Sequence, residues 1–199
     1  SNISEFDRYV VPKTGQANRT VAMIGWNSAV KDPAWCLEMF EALHDADNSW
    51  RLQLIGHDMT PQDDYSRAVL ERIDRLGSAV RRVPFTHDIS GALTGVGVIV
   101  SSSLSEGAPM AVAEGAASGA LPVVRDWPAL ADWGGPREIY PAEWVVESAQ
   151  QGAERVLGFG DAQRAQAGAE ASEWVLANLD AEAALRSYLS VYFPQEQHV

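Results

Sequence analysis

The sequence predicts an α/β domain: a parallel sheet of about six strands with helices on both faces. Three observations carry this. Short apolar runs alternate with stretches of helical spacing, the pattern of successive βαβ units. The run Val96-Gly97-Val98-Ile99-Val100 is apolar throughout, as a parallel strand buried on both faces requires. At 199 residues the chain is long enough for one domain with a full core.

The elements follow in order. Residues 20–25 read as a buried strand ending in a turn at Gly25. A helix over 33–43 starts at Pro33 and repeats Leu37, Phe40 and Leu43 at helical intervals. Residues 51–56 form a second strand closed by Gly56, and 63–76 an amphipathic helix with Val69, Ile73 and Leu76 on one side. A third strand covers 79–85, and Asp88 caps a short helix over 89–93. The fourth strand spans 95–101. It is followed by a helix over 109–117, with Pro109 near its start and Gly119 past its end. Residues 121–124 are a fifth strand, and 144–146 a sixth after a Trp/Pro/Gly-rich stretch. Helices over 149–157 and 163–193 close the chain, the second broken near Asn178-Leu179-Asp180.

Composition excludes several classes of function. The net charge of −12 repels phosphate backbones and anionic lipid, so neither nucleic acid nor a membrane surface is an expected partner. No apolar run approaches the ~20 residues of a membrane span. Cys36 is the single cysteine, so no intramolecular disulfide forms, and a reducing, cytoplasmic setting is expected. The start is polar and lacks the basic segment of a signal peptide. Ser1-Asn2 is consistent with a scar of tag removal, and residues 1–19 read as a segment preceding the domain proper, 20–199. His44, His57, His87 and His198 show no metal-ligand spacing, so no protein-held metal is expected. Nothing local supplies a base to Ser101-Ser102-Ser103, which reads as a polar loop.

In a parallel sheet, ligands bind outside the carboxyl ends of the strands. The fourth strand runs into a polar loop carrying Glu106 and Gly107, then into a helix. Gly107 permits close backbone approach, and the N–H groups around Ala108, Met110 and Ala111 at the helix start favour an anion. Glu114, about one turn further in, is placed to accept two hydroxyl hydrogen bonds, as a carboxylate does on a ribose diol.

Glu106 and Glu114, with seven residues between them, resemble the E-x7-E motif of retaining GT-B glycosyltransferases, family 4 in particular. The resemblance extends from Glu106-Gly107-Ala108-Pro109 through Glu114-Gly115-Ala116-Ala117 to Gly119 and Pro122-Val123-Val124. It implies the Rossmann-like C-terminal half of a GT-B fold that binds a nucleoside-diphosphate sugar, UDP- or GDP-linked. Glu106 would hold donor-sugar hydroxyls and Glu114 the ribose. Lys31, after the first strand, matches by spacing the family's diphosphate-binding lysine. Trp26, following Gly25, stands where the family has an arginine; Arg125 is a substitute cation, or Lys31 and backbone donors act alone. Phe85, after the third strand, either contacts the base, as the resemblance implies, or belongs to the core. Gly56-His57-Asp58 is either a nucleotide-side turn or a plain strand end.

The resemblance implies a transferase whose acceptor site, for a glycan, lipid or small molecule, lies in a missing N-terminal domain. The chain alone is then expected to bind donor and turn over little. No cofactor or structural metal is implied. The alternatives are one half of a GT-B sugar-nucleotide 2-epimerase, or a non-catalytic domain that has lost donor binding, which Trp26 keeps open.

Overall fold

The structure is a computed structural model that describes residues 5–11, 19–106, 110–128 and 134–179. Six parallel strands form one sheet: β1 (Thr20–Ile24), β2 (Arg51–Ile55), β3 (Val80–Val83), β4 (Val98–Ser101), β5 (Leu121–Arg125) and β6 (Val145–Val146). Their order is β3-β2-β1-β4-β5-β6, the doubly wound arrangement. The chain builds outward from β1 to β3 and then returns to add β4 on the other side. The switch in direction therefore falls between β1 and β4, which pair through Val21–Val98 and Ala22–Ile99.

Alternation along the strands sends side chains to both faces. Val21, Met23, Val98, Val100, Leu121 and Val123 enter a core cluster with α1 (Pro33–Ala46), α2 (Asp64–Leu76) and α6 (Ala149–Gly158). On the other face Ala22 and Ile99 pack with Leu93 of α3 (Ile89–Leu93), and Val124 packs with α4 (Met110–Ala117) and α7 (Asp161–Asn178). Each fully buried aliphatic side chain here contributes about 1.5–3 kcal/mol of transfer free energy. Gly115 lets α4 lie close on the sheet: a Cβ there would stand 2.3 Å from Ile99 Cγ1.

Two segments depart from simple periodicity. The Trp/Pro/Gly-rich stretch contains a one-turn helix, α5 (Pro136–Ile139), and a 3-10 turn at Ala142–Trp144. Ahead of β1, Phe6–Tyr9 forms a 3-10 turn whose Phe6 and Tyr9 are buried against α4 and α7. The long C-terminal helix reaches Asn178 among the described residues; the rest of the 163–193 expectation lies outside them, as do Gly107, Ala108 and Pro109.

Candidate functional site

The loops after β1 and β4 leave adjacent strands at the switch point and are tied together. Leu104 N donates to Val30 O at 2.8 Å, and Ser102 Oγ donates to Lys31 O at 2.8 Å. Ser102 and Ser103 are buried, and Ser102 fastens the two loops together. Above it Lys31 Nζ lies 2.6 Å from Glu106 Oε1, which also accepts from Ser103 Oγ. The lysine side chain is 37% exposed and the glutamate 12%, so the pair is open to solvent from the lysine side.

Gly25 turns the chain at the end of β1 with φ +74°, a conformation that favours glycine. The side chain of Trp26 enters the core beside Met23 and Trp35 and is fully buried. Its Nε1 has no hydrogen-bond partner among the described residues. The position where the resemblance expects a cation thus carries a core residue. Arg125, at the end of β5, reaches the same edge: its Nη1 lies 2.5 Å from Asp32 Oδ2 and 3.4 Å from Ser102 O.

Asp32 has φ +43°, alone among the described non-glycine residues in being left-handed, and starts α1 without capping it. Its carboxylate also accepts from Tyr65 Oη at 2.7 Å. Burial, and next the hydrogen bond to Asp32, raise the Tyr65 pKa well above the usual phenol range, so this hydroxyl remains a donor at any ordinary pH.

On α4, Met110, Ala111 and Glu114 share the less buried face, within about 100° of helix. Glu114 makes no hydrogen bond to Lys31 or Glu106; its Oε1 accepts from Tyr9 Oη at 3.1 Å. Burial raises its pKa above the usual glutamate value; the Tyr9 hydrogen bond and the Arg8 charge pull the other way. Phe85 is 54% exposed and therefore not core. It stacks on His57 with ring centroids 4.9 Å apart and meets the edge of His87 at 5.1 Å, at the carboxyl ends of β2 and β3.

The contacts of Asp32, Tyr65 and Tyr9 were not legible in the sequence, because their partners lie 93, 33 and 105 positions away. Cys36 is buried and its thiol is pushed up to about 12 by burial, so it is no nucleophile at neutral pH. Among the described residues no His/Cys/Asp/Glu group is placed to hold a metal, and no helix is long and apolar enough to cross a membrane. Two hollows of ≈ 350 and ≈ 370 Å³, beside Trp50–Arg164 and Trp144–Trp174, lie apart from this edge and touch none of Lys31, Glu106 or Glu114.

A family model described as Glycosyl transferases group 1 matches residues 18–159, a span holding Lys31, Glu106 and Glu114. The chain belongs to the group 1 glycosyl transferases. No curated protein matches it. Solved structures share the fold of this glycosyl transferase domain. A mutant of S. aureus TarM, in complex with Fondaparinux, alpha-GlcNAc-glycerol and UDP, superposes with a TM-score of 0.77 at 20% identity over 96% of this chain. Anabaena HepE, in complex with UDP and glucose, gives 0.74 at 16% identity over 96%. The C-terminal domain of a group 1 glycosyl transferase, LpcC of Francisella tularensis, gives 0.66 at 16% over 86% of this chain and 97% of its own. The chain spans 38% of the TarM chain and 55% of the HepE chain.

Proposed function

We propose that this domain is the donor-binding half of a retaining, GT-B-type glycosyltransferase of the family 4 kind, and that its β1–β4 edge grips a UDP- or GDP-linked sugar. The observation that supports the reading most is the Lys31–Glu106 contact of 2.6 Å, a partly exposed cation and a carboxylate meeting from the two strands that flank the switch point. On donor binding the Lys31 ammonium turns from Glu106 to the diphosphate. As the sugar–phosphate bond breaks, its electron pair stays on the phosphate oxygen, and Lys31 stabilises the charge that develops there. Glu106, released, accepts from sugar hydroxyls. Glu114 accepts from the ribose diol, and the start of α4 at Met110 and Ala111 adds N–H donors and a favourable dipole. Arg125 supplies the second cation that Trp26 does not. Phe85, exposed beside His57 and His87, offers the base an aromatic face. The acceptor comes from a second domain, so the isolated chain binds donor and transfers little.

Calorimetric titration with UDP, GDP, UDP-glucose and GDP-mannose tests this. One nucleotide series should bind. Lys31→Ala and Glu114→Ala should each weaken it about tenfold or more, as loss of a charge-assisted bond does. Lys31→Ala should leave stability within about 1 kcal/mol, because a partly exposed ion pair contributes little. If no nucleotide binds at millimolar concentration, the reading is wrong.

A further inference from the structure

The segment before β1 carries a feature that the donor-binding reading does not use. Tyr9 is 5% exposed and packed in the cluster of Val112, Ala113 and Trp144, yet its hydroxyl reaches Glu114 Oε1 at 3.1 Å. Arg8 Nη2 donates to the same hydroxyl at 2.7 Å, and its guanidinium sits 4.9 Å from the centre of the Tyr9 ring. With its oxygen accepting from Arg8, the phenol proton is directed to the carboxylate. The Arg8 carbonyl in turn accepts from Ser90 Oγ of α3 at 2.7 Å. The Phe6–Tyr9 turn is therefore pinned to α3 on one side and to α4 on the other.

The chemistry of Glu114 explains what this arrangement does. A carboxylate holds a diol best when it is ionised and its two oxygens are fixed in direction. Burial of Glu114 opposes ionisation, and Tyr9 and Arg8 are the groups that counter it. Tyr9 occupies one lone-pair direction of Oε1, and among the described residues none bonds Oε2. A tyrosine held rigidly by packing orients the carboxylate at little entropic cost.

We propose that Tyr9 is a positioning residue for the donor ribose: its hydroxyl, backed by Arg8, holds the Glu114 carboxylate aimed at the ribose diol. The turn ahead of the first strand is then part of the nucleotide site rather than a spacer. The inference rests on the donor-binding reading above and deepens it.

The test is titration of the whole chain with UDP and GDP and with the 2′,3′-dideoxy forms of both. Tyr9→Phe keeps the packed ring and removes only the hydroxyl. It should weaken the bound nucleotide about tenfold, the loss expected for a hydrogen bond to a charged group. It should leave the weaker binding of the dideoxy form unchanged. In a Glu114→Ala background the same substitution should have no further effect. Arg8→Met, outside the packed ring, should weaken the nucleotide in the same direction and serves if Tyr9→Phe fails to fold. An unchanged or tighter Kd in Tyr9→Phe, an equal loss for the dideoxy form, or a loss that persists without Glu114 overturns the proposal. If the dideoxy form binds wild type as tightly as the parent nucleotide, Glu114 does not read the diol and the proposal falls, although donor binding stands. If wild type binds no nucleotide, the donor-binding reading fails first and takes this inference with it.

Discussion

Asp32 and Arg125 meet across the carboxyl edge of the sheet, one from the turn after β1 and the other from the end of β5, with Oδ2 and Nη1 2.5 Å apart. The contact matters because Asp32 holds a left-handed backbone that L-residues adopt at a cost of order 1–3 kcal/mol, and it directly follows Lys31. Arg125 and Tyr65 grip the Asp32 carboxylate from two sides and hold this turn, and with it the backbone that presents Lys31.

Arg125 holds this turn and, on the donor-binding reading, also meets the diphosphate, and two substitutions separate these roles. Arg125→Met should lower stability by about 1–3 kcal/mol, because it leaves the half-buried Asp32 carboxylate one partner short. Asp32→Asn keeps a residue that tolerates the left-handed region and an oxygen for Tyr65, so its loss should be smaller. Nucleotide affinity should follow a different order. Arg125→Met should reduce it about tenfold or more, and Asp32→Asn should preserve or improve it by freeing the guanidinium for the diphosphate. Urea denaturation and calorimetry on the two variants decide this, and equal affinity losses in both would show that Arg125 acts only on the turn.

The Glu114 carboxyl gives a pH signature with a definite sign. Its folded pKa lies above the unfolded value, chiefly through burial. The native state therefore gains from the neutral form at low pH, and this contribution is lost as pH rises through the folded pKa. Glu114→Gln stays neutral throughout. Its melting temperature relative to wild type should climb as pH rises above the usual glutamate range. Nucleotide affinity of wild type should fall as pH drops through that same raised pKa, because a protonated carboxyl loses an acceptor. A Gln variant whose relative stability falls with pH would show that Tyr9 and Arg8 outweigh burial.

The close approach at Gly115 also makes a quantitative claim. Gly115→Ala places a methyl 2.3 Å from Ile99 Cγ1 and 2.5 Å from Ile99 Cβ, which is near the root of the side chain and cannot swing aside. Overpacking of this kind should cost about 1–3 kcal/mol and lift α4, carrying Glu114 away from the edge. Thermal denaturation of wild type and variant checks it, and a fully stable variant would show that α4 shifts at no cost.

Local pattern and long-range geometry divided the problem between them. The strand at Thr20–Ile24, the helix starting at Pro33 and the apolar β4 were legible because each is written in consecutive residues, through a period of two or 3.6. The loop that bears Glu106 and the helix that bears Glu114 were legible because each is contiguous in the chain. The one-turn helix at Pro136–Ile139 was not, since four residues are too few to carry a period.

What the sequence determined by itself was the alternation of strands and helices, and the carboxylates that follow β4. The tertiary structure alone decided that Trp26 turns into the core, that Arg125 comes to Asp32 instead, and that Tyr9 crosses 105 positions to reach Glu114. The physical reason is that these partners are chosen by strand order: β1 lies beside β4, and β4 beside β5, only once the sheet has been assembled.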